Sequence, residues 1–239
     1  MQIYHTSHCG STLLISLLSE VVPSYSEPSW CHEIIGGVDI NFHEKIKEYN
    51  NSIIKLPSGL CHYAAQTQSK KIFLHRNLKN HLFKLIALSD NPNNYIDYYY
   101  DYFLQNIHPN LKNIDFKTAG RKHVFLWANR IFWILESQDY YAVNANYFFA
   151  NKKECLINIC NFLNLNEVKN FYHQDYNVKD VGMNHNEIEL SKVTPNRENA
   201  RVTYPSYGII EDAVCFQHDK IMELVKWATE NIDIPEFLI

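Results

Sequence analysis

One short segment near the start of the chain, Ser7-His8-Cys9-Gly10-Ser11-Thr12-Leu13-Leu14, constrains the fold more than any other. It follows an apolar strand pattern, Ile3-Tyr4-His5-Thr6, and opens an apolar helix pattern that runs to Leu18. A strand, a tight turn with one glycine, and Ser-Thr at a helix start together build an anion site. The N–H groups of a first helical turn have no partner within the helix, and the helix dipole is positive at that end. Gly10 lets the backbone approach an anion, and the Ser11 and Thr12 hydroxyls add donors.

The first half of the chain repeats that alternation. Short apolar or β-branched runs at 2–7, 21–26, 52–56 and 71–75 read as strands, and helical patterns at 12–19, 41–48, 60–67 and 78–89 lie between or after them. This βαβα rhythm predicts a parallel sheet covered by helices on both faces. Asp90-Asn91-Pro92-Asn93-Asn94 is a turn cluster. Beyond it come helical patterns at 94–107 and 119–137, a strand from Tyr141 to Tyr147, and helices at 151–163 and 211–230. The polar stretch 174–210 shows little periodicity and reads as a long loop or lid within a single domain of 239 residues.

Composition removes several functional classes. A net charge of −4 argues against a general nucleic-acid binder, though a small anionic ligand needs only local cations. No run approaches the ~18 uncharged apolar residues of a membrane span. The six cysteines, at 9, 31, 61, 155, 160 and 215, lack paired CxxC spacing, and the twelve histidines lack HExxH spacing, so no metal site is expected. With no signal-peptide pattern, reduced thiols and a cytoplasmic location are the expectation.

The turn also lacks the GxxxxGK[ST] pattern of nucleotide hydrolases, since no Lys precedes Ser11-Thr12. It resembles instead the loop of the sulfotransferases that use 3′-phosphoadenosine 5′-phosphosulfate (PAPS). That loop carries Lys or Arg where His8 stands, and Ser where Cys9 stands. Four further segments resemble the same family in the same order. They are Tyr25-Ser26-Glu27-Pro28, Ile54-Lys55-Leu56-Pro57-Ser58, Lys71-Ile72-Phe73-Leu74-His75-Arg76-Asn77-Leu78, and Tyr141 to Phe149 followed by Asn161-Phe162-Leu163. Together the matches cover roughly residues 1–165.

The resemblance implies a three-layer α/β/α architecture like that of P-loop nucleotide hydrolases, with a central parallel sheet of about four to five strands. It implies PAPS as donor and no metal. It places His8, Cys9, Gly10, Ser11 and Thr12 around the 5′-phosphosulfate, Lys55 beside the sulfuryl group, and Arg76 on the 3′-phosphate. Lys84 stands where the family has a Ser for that phosphate. Some animal members carry a His base two residues after the Lys, and here Pro57 takes that place.

The residues themselves leave alternatives. Lys55 ends a buried-looking strand, where it either meets an anion or snorkels. His8 either titrates against a phosphate or orders the loop. Glu27, after a strand at the loop's edge of the sheet, is the first choice of base, with His32 and His62 as alternatives and a plain turn carboxylate as the bland reading. Tyr25, Trp30 and Tyr63, read as loop residues, are candidate walls of an acceptor pocket. Lys192, Arg197 and Arg201 form a late basic stretch. The resulting expectation is sulfuryl transfer from PAPS to a hydroxyl or amine of a small-molecule or carbohydrate acceptor, with Glu27, Lys55 and His8 as the reacting side chains. The alternatives are a nucleotide-binding protein without transferase activity and a small-molecule or nucleotide kinase.

Overall fold

The structure, a computed structural model, describes residues 1–6, 9–88, 100–169, 171, 178–179 and 206–239; of 84–88, 119, 178–179 and 206–218 it describes the backbone. Six parallel strands form one sheet in the order β5-β4-β1-β3-β2-β6. They are β1 (Gln2–His5), β2 (Ser24–Ser26), β3 (Ile53–Lys55), β4 (Lys71–His75), β5 (Tyr140–Asn144) and β6 (Val178–Lys179). The helices are α1 (Ser11–Leu18), α2 (Ser29–Ile35), α3 (Phe42–Lys47), α4 (Leu78–Leu88), α5 (Ala119–Leu135), α6 (Ala145–Ala150), α7 (Lys152–Leu163) and α8 (Ser206–Asn231). Residues 100–105 are helical as well. No described helix is long and apolar enough to cross a membrane.

The strands are buried on both faces because each face carries its own helical layer, as parallel sheets require. Ile3, Ile53, Ile72 and Leu74 pack with Leu14, Ile15 and Leu18 of α1 and with Phe148 and Ile159 of α6 and α7. Tyr4, Ile54 and Phe73 point the other way, into a core with Val124, Trp127, Ala128 and Ile131 of α5. The fold is therefore the α/β, three-layer arrangement expected, with β1 in the middle of the sheet. Buried Lys71 at the foot of β4 is satisfied by three carbonyls, those of Thr67 (2.7 Å), Ser69 (2.9 Å) and Gln138 (2.9 Å).

Several boundaries differ from the sequence reading. The run 21–26 yields only Ser24–Ser26, because residues 19–22 complete the turn that follows α1 and Pro23 offers no N–H to a ladder. Tyr141 to Tyr147 splits into β5 and α6, since the Asn144 side chain accepts from the Asn146 and Tyr147 N–H groups and caps a new helix. The helix expected at 60–67 is a 3₁₀ segment, Ser58–Gln66. Trp30 lies on α2, a helix outside the sequence patterns, while Tyr25 lies in β2 and Tyr63 in the 3₁₀ segment. Within 174–210, β6 adds a sixth strand beside β2, and α8 begins at Ser206. The remainder of that stretch, with Lys192, Arg197 and Arg201, lies outside the described residues, as do residue 89, the turn cluster at 90–94 and residues 94–99 of the helix expected at 94–107.

Candidate active site at the carboxyl edge of the sheet

All six strands run the same way, so their carboxyl ends share one edge. From β1 the chain moves to one side of the sheet for β2 and β3, then crosses to the other side for β4. The edge above β1 is thus a topological switch point, where connecting loops part and leave a crevice.

The turn after β1 is stitched to the end of β4. The Thr6 N–H donates to the Leu74 carbonyl (3.1 Å), the Arg76 N–H donates to Thr6 Oγ1 (3.0 Å), and the Cys9 thiol donates to the Leu74 carbonyl (3.3 Å). Gly10 precedes α1 with φ of +90°, and among the described residues no side chain caps the helix there. The +90° φ favours glycine, and a Cβ there would stand 2.5 Å from Cζ of the exposed Phe149, whose ring would have to shift. Cys9 is fully buried, and burial pushes its thiol up to about 12. Arg76, the Ser11 N–H and Lys55 act on the thiol in the opposite direction, so it lies between the core and the turn. His8 lies outside the described residues.

Three strand ends bring charge to this turn. Ser26 and Lys55 are in register across β2 and β3, so Glu27 emerges beside Lys55. The Glu27 N–H donates to the Lys55 carbonyl (2.8 Å), and Lys55 Nζ bonds to Glu27 Oε1. Lys55 Nζ also donates to Thr12 Oγ1 at 3.3 Å, in the first turn of α1. Lys55 is 3% exposed and Glu27 14%, so this is a nearly dry ion pair. His5 Nε2 lies 3.8 Å from Glu27 Oε1, and His32 Nε2 lies 3.6 Å from Oε2. Glu27 has φ of 51°, a left-handed conformation that costs a non-glycine residue about 1 kcal/mol or more.

The electrostatics follow from this packing. Burial alone would raise the Glu27 carboxyl. The Lys55 ammonium and the imidazoles of His32 and His5 outweigh it and hold the group well below the usual carboxylate range. Burial lowers the His5 imidazole, with Lys55 and Arg130 adding to the effect and Glu27 opposing it. Neither His5 ring nitrogen makes a hydrogen bond among the described residues. An imidazole that burial biases toward its neutral form thus faces the same carboxylate oxygen as Lys55.

Arg76 follows β4 on the far side of the turn. Its Nη1 bonds to Asn146 Oδ1 of α6, and its carbonyl accepts from the Trp127 indole (3.1 Å). Lys84 lies on α4, and its side chain is outside the described residues. The geometry therefore groups Gly10, Ser11, Thr12, Lys55 and Glu27, with Arg76 anchored to the other flank of the same turn. Two alternatives in the sequence separate here. His32 sits against Glu27, whereas His62 packs among the rings of Tyr63 (4.1 Å) and Tyr102 (6.1 Å). Among the acceptor-wall candidates, Trp30 is core, donating to the Tyr49 hydroxyl (3.1 Å). His5 was not singled out in the sequence, where a histidine in an apolar strand looks like a core residue.

Among the described residues, no group of three or more His, Cys, Asp or Glu side chains is arranged to hold a metal ion. Comparison with known proteins gives no matching family model and no match among curated proteins. Among solved structures the chain is similar to a sulfotransferase from Alicyclobacillus acidocaldarius, at 13% identity and a TM-score of 0.46, over 72% of this chain and 84% of that one.

Proposed function

We propose that the chain is a sulfotransferase that moves a sulfuryl group from PAPS to a hydroxyl or amine of a small-molecule or carbohydrate acceptor. The observation that carries the reading is a buried lysine that ties a largely buried carboxylate to the first turn of α1, where no described side chain caps the helix. Lys55 reaches both Thr12 and Glu27 there. The sequence resemblance to the PAPS-dependent family over residues 1–165 supports it independently.

The residues fit the donor by chemistry. The Gly10-Ser11-Thr12 turn offers backbone N–H groups, two hydroxyls and a helix dipole to the 5′-phosphosulfate. Arg76, on the other flank, suits the 3′-phosphate with a planar fork of donors. His8 and Lys84 are proposed as further cations on the two phosphates. In the reaction the acceptor oxygen bonds to sulfur as the bond from sulfur to the bridging phosphate oxygen breaks. The acceptor proton goes to Glu27, and adenosine 3′,5′-bisphosphate leaves. Lys55 and the α1 turn stabilise the charge that develops on the departing phosphate, so catalysis is chiefly positioning and electrostatics.

Ligand-dependent thermal stability tests the donor. Adenosine 3′,5′-bisphosphate should raise the melting temperature, and ATP with Mg²⁺ or GTP should not. Stabilisation by ATP alone would overturn the donor assignment and favour a kinase. Transfer of labelled sulfate from PAPS to a panel of sugars, alcohols and amines then tests the activity. Bisphosphate binding without transfer to any acceptor would mark a binding protein.

A further inference from the structure

Lys55 holds two partners at once, the carboxylate that would act as base and the helix turn that would take the donor. An anion seated in that turn is a third claimant on the same ammonium. Lys55 is 3% exposed and ends a strand paired on both sides, so its side chain has little room beyond these partners.

We propose that Glu27 and the donor compete for Lys55, so that loading the anion turn releases Glu27 from its ion pair and switches it on as a base. This rests on the sulfotransferase reading above and adds to it a control: proton abstraction is suppressed until the donor is in place. Its physical basis is reciprocity. If anion binding weakens the Lys55–Glu27 pair, it raises the proton affinity of Glu27. Protonation of Glu27 must then strengthen anion binding by the same factor.

The surroundings favour a two-state response. Burial pushes the Glu27 carboxyl up, and Lys55 is the largest single influence pulling it down. Lys55 therefore decides which tendency wins. The other groups around Glu27 temper the change without replacing Lys55. His5 of β1 and His32 of α2 lie 3.8 and 3.6 Å from its two oxygens. Cys31 of α2 senses the Glu27 charge, and Arg130 of α5 acts on His5. With Lys55 drawn to the donor, Oε1 keeps His5 as its neighbour, and the carboxylate stays oriented.

The test follows the Glu27 carboxyl by carbon NMR, assigned with Glu27→Gln, in the free protein and with saturating adenosine 3′,5′-bisphosphate. The expected result, read over the pH range in which circular dichroism shows the protein folded, is a rise of about one unit or more in its titration midpoint, the free-protein carboxyl staying ionised down to the acid limit of that range. Bisphosphate affinity should correspondingly gain about tenfold as pH falls through that interval. In Lys55→Met the midpoint should already be high in the free protein, and the bisphosphate should move it little. The wild-type comparison needs no variant and stands if Lys55→Met does not fold. Binding of the bisphosphate with an unmoved Glu27 midpoint would overturn the competition and leave the sulfotransferase reading intact. An equal shift in wild type and Lys55→Met would also overturn it, by tracing the effect to direct repulsion. No binding of the bisphosphate at all would overturn the functional reading and the competition together.

Discussion

Three buried histidines predict that the protein loses much of its stability in mild acid, before Glu27 itself is protonated. His62, His75 and His123 are 7%, 4% and 8% exposed. Burial pulls each imidazole from 6.5 to about 4, and Arg130 adds to the effect at His123. In the unfolded chain they protonate as pH falls through 6.5, whereas in the folded chain they stay neutral down to about 4. Across that window the unfolded state binds more protons, so stability falls as pH falls and the loss is complete near the folded value. A group with those two midpoints withdraws about 2 kcal/mol between pH 7 and pH 5, and three withdraw roughly 5–6 kcal/mol. That is comparable to the whole net stability of an ordinary domain, about 5–15 kcal/mol. Glu27 has the opposite protonation state to defend: its depressed carboxyl stabilises fully above the ordinary 4.5 and loses that contribution only below it. Urea unfolding at several pH values, followed by tryptophan fluorescence, measures the slope. His75→Phe and His123→Phe should each remove about a third of the pH 7 to 5 loss. Resonances of these three imidazoles that titrate near 6.5 in the folded protein, or variants that keep the full wild-type slope, would refute the reasoning. If it holds, activity lost between pH 6 and 5 reports unfolding, and an acid limb belonging to Glu27 has to be read with stability controlled.

Other expectations concern the turn and its flanks. Gly10→Ala should lower the melting temperature and weaken bisphosphate binding, since a Cβ at φ +90° costs about 1–2 kcal/mol and meets the Phe149 ring. Adding Phe149→Leu should recover the steric part and leave the backbone part, which a melting series resolves. Arg76→Gln should cost about 2–5 kcal/mol of bisphosphate binding by calorimetry if the guanidinium holds a desolvated phosphate. A loss of only ~0–1 kcal/mol would return Arg76 to the role of a surface tie to Asn146. Burial pushes the Cys9 and Cys61 thiols up to about 12 and raises Cys31 further. A maleimide at pH 8 should leave all three unlabelled in the native protein and label them in urea, as read by peptide mass spectrometry. Native labelling of Cys9 would mean that the turn opens readily.

The parts of the fold legible in the sequence are those set by local pattern. Lys71 to His75 reads as a strand because five residues with an apolar centre lie between a polar stretch and a helix start, and β4 spans those residues. Helix α2 escaped because Ser29–Ile35 has no side-chain cap to mark its start, whereas the still shorter α3 opens on Asn41, which accepts from the His43 and Glu44 N–H groups. The site divides along the same line. Lys55 stands out as a cation ending an apolar run, and the glycine turn announces an anion. Cys9 stands in the cradle by position, and its buried thiol donates to the Leu74 carbonyl while the Ser11 N–H, Arg76 and Lys55 act on it from the turn and its flanks. The bond between Lys55 and Glu27 spans 28 residues and exists because β2 lies beside β3 in parallel register. Nothing local encodes that adjacency.

Glu27 also shows why local preference is a poor guide at such a position. Its φ of 51° suits glycine, and glycine there would relieve the backbone. It would also leave the Lys55 ammonium buried without its carboxylate, and removing one member of a buried pair costs about 3–5 kcal/mol. That exceeds the relief, roughly 1 kcal/mol. The balance therefore favours a strained glutamate over a relaxed glycine even before any reaction is considered. The pair in turn fixes the carboxylate between His5 and His32 and beside the anion turn. Strain at Glu27, burial at Lys55 and the unbonded ring of His5 have one common cause: three strand ends bring their polar residues to a point where α1 begins.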